Sequence, residues 1–154
     1  MSWKPSSALR AFLNLNPPAR LRVPAALAML LAVEVGLPVL GFPRLLRLLR
    51  LPLRDSRSRP STAVGDVLNP RQRAVADAVD LVVRVRPRAG RCLRRALILG
   101  WHLRSDAPVL RIGVEKERGV VSAHAWIEIG GQPVADTDGL ERFAPLGRST
   151  PHVT

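Results

Sequence analysis

The sequence predicts an α+β fold, helices first and an antiparallel β-meander after them. Three observations predict it. Helical signals fill the chain to about Arg104, with proline starts at Pro17-Pro18 and Asn69-Pro70. From Val109 onward, β-rich runs are separated by charged or glycine turns. The strand–helix–strand alternation of a parallel sheet is missing from that order.

Taken in order, the first organised segment runs from about Pro18 to Leu51. Ala19 to Leu40 is rich in Ala, Leu and Val, and its longest uncharged stretch, Val23 to Val33, is bracketed by Arg22 and Glu34. A membrane span needs about 20 apolar residues, so a buried helix of a folded domain is expected rather than an anchor. The next stretch, Phe42 to Leu51, sets Arg44, Arg47 and Arg50 three apart among leucine pairs. On a helix this gives a basic stripe beside an apolar one, expected to be a solvated face over a packed face. An interfacial membrane helix or an acidic-partner site is the alternative. Residues 52–69, with Pro52, Pro60, serines and Gly65, read as a linker. A helix capped by Asn69 then runs to about Val83, and a second from about Cys92 to Arg104. Val109 to Val114 reads as a strand, Glu115 to Gly119 as a charged turn, and Val120 to Ile129 as a longer strand. Gly130-Gly131 turns the chain into a short strand around Pro133 to Asp136.

Composition narrows the function. The chain has 154 residues, enough for one domain with or without a short extension. The division expected is a helical extension and start of linker over 1–60 and a core over 61–154, together one compact unit. A single cysteine, Cys92, excludes an intramolecular disulfide and a cysteine-rich zinc site. The net charge of +12 is nearly all arginine, since Lys4 and Lys116 are the only lysines. Aromatics are 4% with no tyrosine, which argues against nucleic-acid binding by base stacking. Residues 1–60 hold 10 basic and 2 acidic residues, whereas 91–154 hold 9 and 7. Acid–base chemistry is therefore expected in the C-terminal half.

Three residue types there form a constellation. Cys92 follows Gly90-Arg91 at an expected helix start, where free N–H groups and the helix dipole favour a thiolate. Arg91, Arg94 and Arg95 add positive charge nearby, and Gly90 would let a substrate backbone approach. Alternation along Val120–Ile129 puts Ser122, His124, Trp126 and Glu128 on one face and Val121, Ala123, Ala125, Ile127 and Ile129 on the core face. A three-residue hairpin loop would set Asp138 opposite His124 and Asp136 one diagonal step away. A two-residue loop would turn both aspartates to the far side. With an odd loop or a bulge, a carboxylate reaches the imidazole, and Cys92, His124 and an aspartate supply nucleophile, acid–base and orienter for thiol acyl transfer. Trp126 is expected to cover the thioester, line a substrate groove or merely pack. Glu128 is expected to be a solvated edge residue, and Ser122 and His102 to be bystanders.

The blocks Cys92-Leu-Arg-Arg-Ala-Leu-Ile-Leu, Leu110-Arg-Ile-Gly-Val and Ala123-His-Ala-Trp-Ile-Glu, with Asp136 twelve residues after His124, resemble the lasso-peptide leader peptidases. These are transglutaminase-like cysteine proteases that remove the leader of a ribosomally made precursor peptide. The resemblance implies a papain/transglutaminase-like core, a cysteine-bearing helix packed on a small antiparallel meander. It implies Cys92 as nucleophile, His124 as base and acid, and Asp136 as orienter, with Asp138 the lesser alternative. It implies no cofactor and no metal. No strand-rich leader-binding module is read in residues 1–60, so the resemblance implies a separate leader-recognition protein, and beside it an ATP-dependent macrolactam cyclase. A cytoplasmic location, no nucleic-acid partner and at most incidental membrane contact are expected. Acyl transfer to an amine, or a non-catalytic basic binding module, are the rival readings.

Overall fold

Proline placement sets the helix starts. In the computed structural model, which describes residues 5–54, 68–84, 90–117, 120–135, 140 and 143–145, the first five helices are α1 (Pro5–Leu13), α2 (Pro17–Arg20), α3 (Val23–Leu40), α4 (Phe42–Leu49) and α5 (Pro70–Val83). Each has proline at its first or second position, where the missing N–H has no helical partner to lose. The start of α5 is held further by a reciprocal capping box. The Gln72 N–H donates to Asn69 Oδ1 at 2.9 Å, and the Asn69 N–H donates to Gln72 Oε1 at 3.1 Å. The sixth helix, α6 (Arg91–His102), begins after Gly90 and runs into a 3₁₀ turn, Arg104–Asp106.

Four strands follow: β1 (Val109–Glu117), β2 (Val120–Ile129), β3 (Gln132–Val134) and β4 (Ala144–Pro145). They form one sheet in the order β3-β2-β1-β4, antiparallel throughout. The β1–β2 ladder is unbroken from Val109↔Glu128 to Glu117↔Val120. The charged segment Glu115 to Glu117, expected as turn, is thus strand. The hairpin projects into solvent at this end, where Ser122 is exposed. Val120 and Val121, the latter expected on the core face, are exposed there for the same reason.

The helices pack on one face of this sheet. Helix α6 lies against β2, α5 lies against α2, α3 and α6, and α3 also touches α6 and α4. Their shared core joins Leu30 and Val33 of α3, Val75 and Val79 of α5, Leu97, Ile98 and Leu99 of α6, and Leu110, Ala125 and Ile127 of the sheet. The expected linker is structural at its beginning. Leu51 is buried, the Leu110 N–H donates to Pro52 O at 2.9 Å, and the Arg54 N–H donates to Leu110 O at 3.2 Å. Residues 52–54 thereby lie beside β1, with Leu53 bridged to Leu110. The remaining linker positions up to 67 fall outside the described residues.

Candidate active site

The nucleophile candidate is placed by a glycine and by a strand that stops early. Gly90, the residue before α6, has φ +68°, a conformation disfavoured for side-chain-bearing residues. A Cβ there would also lie 2.6 Å from the Arg94 guanidinium, whose Nη1 donates to Gly90 O at 3.1 Å. This turn leaves Cys92 at the second position of α6, among the unpaired N–H groups of its first turn. On the strand side, β3 pairs with β2 only as far as Ile127↔Val134. Ala125 and Ala123 are the next β2 residues of that parity, and it is here that Cys92 meets the strand, its Sγ 3.9 Å from Ala123 O.

Cys92 and His124 are brought together. A hydrogen bond with the His124 side chain draws the Cys92 thiol below its ordinary pKa. Burial opposes this and is outweighed. Backbone contacts at Ala125 and Leu93 and the nearby imidazole charge add to the lowering. Two of the three arginines expected to acidify the thiol, Arg94 and Arg95, are engaged elsewhere. Arg94 Nε donates to Glu34 Oε1 at 2.6 Å, and Arg95 pairs with Asp80 and reaches Ala135 O. Their charges are matched by carboxylates, so the imidazole dominates the thiol's environment.

His124 itself is half-buried and held by aromatic rings. Phe143 stacks on it with centroids 5.1 Å apart at 27°, and Trp126 lies beside it at 6.1 Å and 20°. Gly113 is the residue paired with His124, and its missing side chain makes room for both rings. A Cβ there would stand 2.8 Å from Phe143 Cβ and 3.1 Å from the Trp126 ring. Trp126 is only 2% exposed, and its Nε1–H donates to Glu128 Oε1 at 3.1 Å. Glu128, expected to be solvated, is 4% exposed and also accepts from Arg111 Nε at 2.8 Å. The correction has a simple cause. Strand alternation assigns a face but cannot show that Trp126 and Arg111 close on Glu128 there.

The hairpin that was to deliver an aspartate has the shorter loop. Ile129 pairs with Gln132, so Gly130 and Gly131 alone make the turn, with φ +60° and +82°. An unbroken ladder in this register would put Thr137, and neither aspartate, opposite His124. Among the described residues the ladder ends at Val134, and Ala135 takes φ +52°, with its carbonyl accepting from Arg95 Nη1 at 3.4 Å. The departure from strand geometry is thus at Ala135, immediately before Asp136, rather than at the glycine pair. Asp136 and Asp138 both lie outside the described residues.

Of the other candidates, Ser122 is exposed on the projecting hairpin. His102 ends α6, about 15 Å along the helix from Cys92, half-buried against Trp101 at 4.9 Å. Burial first, then the charge of Arg22, lowers its pKa. The participants that sequence reading missed are Phe143, Gly113 and the Glu128–Arg111 pair. The Gly113 signal was present, since a glycine mid-strand often marks the close approach of another group.

Residues 27–148 match the family model described as the transglutaminase-like superfamily. The chain has no match among curated proteins or among solved structures. The family match begins within α3 and so takes in α4 and most of the N-terminal helical packing along with the sheet.

Proposed function

This chain belongs to the transglutaminase-like superfamily, and from that premise we propose that it is a cysteine endopeptidase that removes the leader of a ribosomally made lasso precursor peptide. The observation that carries the reading is the Cys92 thiol at the first turn of α6, acidified by His124. Thiol acyl transfer needs that pairing of nucleophile and base. The sequence resemblance to lasso leader peptidases supplies the substrate class.

In the proposed reaction the Cys92 sulfur attacks the carbonyl of the leader–core peptide bond while its proton passes to His124. The free N–H groups at the start of α6 stabilise the oxyanion. His124 then gives the proton to the departing core amine, leaving a leader thioester on Cys92. Water, deprotonated by His124, attacks the thioester and releases the leader as a free acid. Asp136 orients His124 in this reading, with Asp138 as the alternative. A separate leader-recognition protein and an ATP-dependent macrolactam cyclase are the proposed partners, and the cytoplasm the proposed location.

The test is incubation of the protein and a leader-recognition partner with a precursor peptide, followed by mass measurement. The expected products are the leader acid and the core peptide. An isopeptide or other amine adduct in place of the free acid would show that the acceptor is an amine and not water.

A further inference from the structure

Helix α3 has the outside of a membrane-facing helix and the inside of a core helix. Its inner face supplies Ala26, Met29, Leu30, Val33 and Gly36 to the packed interior. Its outer face carries Leu27, Leu31, Val35 and Val39 four residues apart, the last three 60%, 63% and 69% exposed. Pro24, Ala25, Ala28, Ala32 and Pro38 are the other exposed positions of α3, so the outer face holds no charged or polar side chain. From Leu27 to Val39 this stripe is about 18 Å long. A soluble surface helix ordinarily turns charge outward. Nine of the eleven large apolar residues exposed among the described residues lie between Leu9 and Leu53, which makes this a feature of one region.

Basic charge stands at the C-terminal end of the stripe. Helix α4 follows α3 after Gly41 and exposes Arg44 and Arg47 beside Leu48, with Arg50 just past its end. Among the described residues, none of these three arginines pairs with a carboxylate, whereas Arg71, Arg94, Arg95 and Arg111 each do. A cleft of about 460 Å³ beside α4 joins Leu46, Leu51 and Leu53 to Arg47 and Arg50. Apolar surface edged by unmatched arginine is complementary to an acyl boundary topped by anionic phosphates.

We propose that the N-terminal helices seat this protein on an anionic membrane surface. Helix α3 lies in the plane of the interface with its outer stripe in the acyl boundary. Arg44, Arg47 and Arg50 reach the lipid phosphates, their stems lying over apolar surface. The helix does not span. Its inner face is core, and Glu34 is tied to Arg94 two residues from Cys92 at 2.6 Å, so crossing the bilayer would strip the fold. The same contacts fasten α6 and its cysteine to the membrane-seated layer.

The test is flotation of the purified full chain with vesicles of pure phosphatidylcholine or of phosphatidylcholine with one-quarter phosphatidylglycerol, at about 0.1 M salt. Anionic vesicles should carry at least about tenfold more protein than neutral ones. Leu31→Glu with Val35→Glu, and separately Arg44→Glu with Arg47→Glu and Arg50→Glu, should each cut anionic binding by at least about tenfold. Circular dichroism and the alkylation rate of Cys92 report folding for both variants and should match the parent. Should the double glutamate variant lose its fold, Leu31→Ser with Val35→Ser is the substitute and carries the same expectation. The proposal is overturned if the parent does not float with anionic vesicles, or if a folded variant floats as well as the parent. Retention through an alkaline carbonate wash would overturn the interfacial mode in favour of a span. A dimer in vesicle-free solution that the Leu31/Val35 variant dissociates would assign the stripe to a second copy instead.

Discussion

The two ends of this chain use arginine in opposite ways. Around the site, Arg94, Arg95 and Arg111 are drawn inward, each on a carboxylate from a different element: Glu34 of α3, Asp80 of α5 and Glu128 of β2. On α4, Arg44 and Arg47 are exposed with no carboxylate partner among the described residues. Partly buried guanidinium pairs hold elements in register, because removing either partner strands a charge in low dielectric. Exposed arginines with no carboxylate partner brace nothing and remain available to a ligand. The C-terminal half is thus a braced frame around Cys92 and His124, while the N-terminal helices offer surface. The four experiments that follow test the braced half, and the vesicle experiment tests the other.

The largest effect is expected at the proposed catalytic residues. Cys92→Ala should abolish precursor cleavage, and the orienting carboxylate should be worth up to ~10⁴ in rate on the serine-protease precedent. Asp136→Asn is expected to show that loss and Asp138→Asn to cleave almost normally, with circular dichroism unchanged in both. The reverse result would move the orienter to Asp138. Full activity of Cys92→Ala would end the peptidase reading.

Next comes the packing around the imidazole. Gly113→Ala would drive a methyl group into Phe143 and Trp126, displacing the rings that fix His124. Misplacement on that scale costs about 10²-fold in rate, so cleavage should fall by about that factor with the protein still folded. Rates unchanged by Gly113→Ala, and by Phe143→Ala beside it, would show that His124 is fixed from elsewhere.

The brace itself is measured by Glu128→Gln. It leaves the Arg111 guanidinium, 15% exposed at its side chain, without its counter-charge. A loss of about 3 kcal/mol in denaturant unfolding is expected, and the same substitution logic predicts no comparable loss for Arg44→Gln on α4. Equal, small effects at both sites would erase the distinction drawn between the two halves.

The smallest expected effect is a shift on the pH axis. Because the His124 hydrogen bond favours the thiolate, alkylation of Cys92 by iodoacetamide should rise at lower pH than that of a free cysteine. Below the lowered pKa the thiol form returns and labelling slows. His124→Ala removes the leading cause and leaves burial, which acts the other way, so the inflection should move upward. An inflection that ignores His124→Ala would place the acidifying group elsewhere.

Local chemistry determined a good deal of this protein before any folding. Asn69-Pro70 fixed a helix start, because a cap acceptor and a proline act within four residues of themselves. The run Val120–Ile129 fixed a strand to the residue, and Gly130-Gly131 its turn. The cysteine at a helix start and the histidine on a strand were legible because thiol chemistry has few residue types to draw on. What lay beyond reach was set by neighbours distant in sequence. Glu128 looked solvated because alternation gives a side chain its face but not its partners, and Arg111, which pairs with it, stands seventeen residues earlier. The linker's first residues looked like coil because pairing with β1 is a matter of two backbones meeting. The arginines near Cys92 looked like its activators because linear proximity cannot reveal Glu34, sixty residues before Arg94. Tertiary structure alone decided that the imidazole faces the thiol while the Arg94 and Arg95 guanidinium groups turn to carboxylates. Dielectric screening and hydrogen bonding depend on distances in space, and the order of residues along a chain does not contain them.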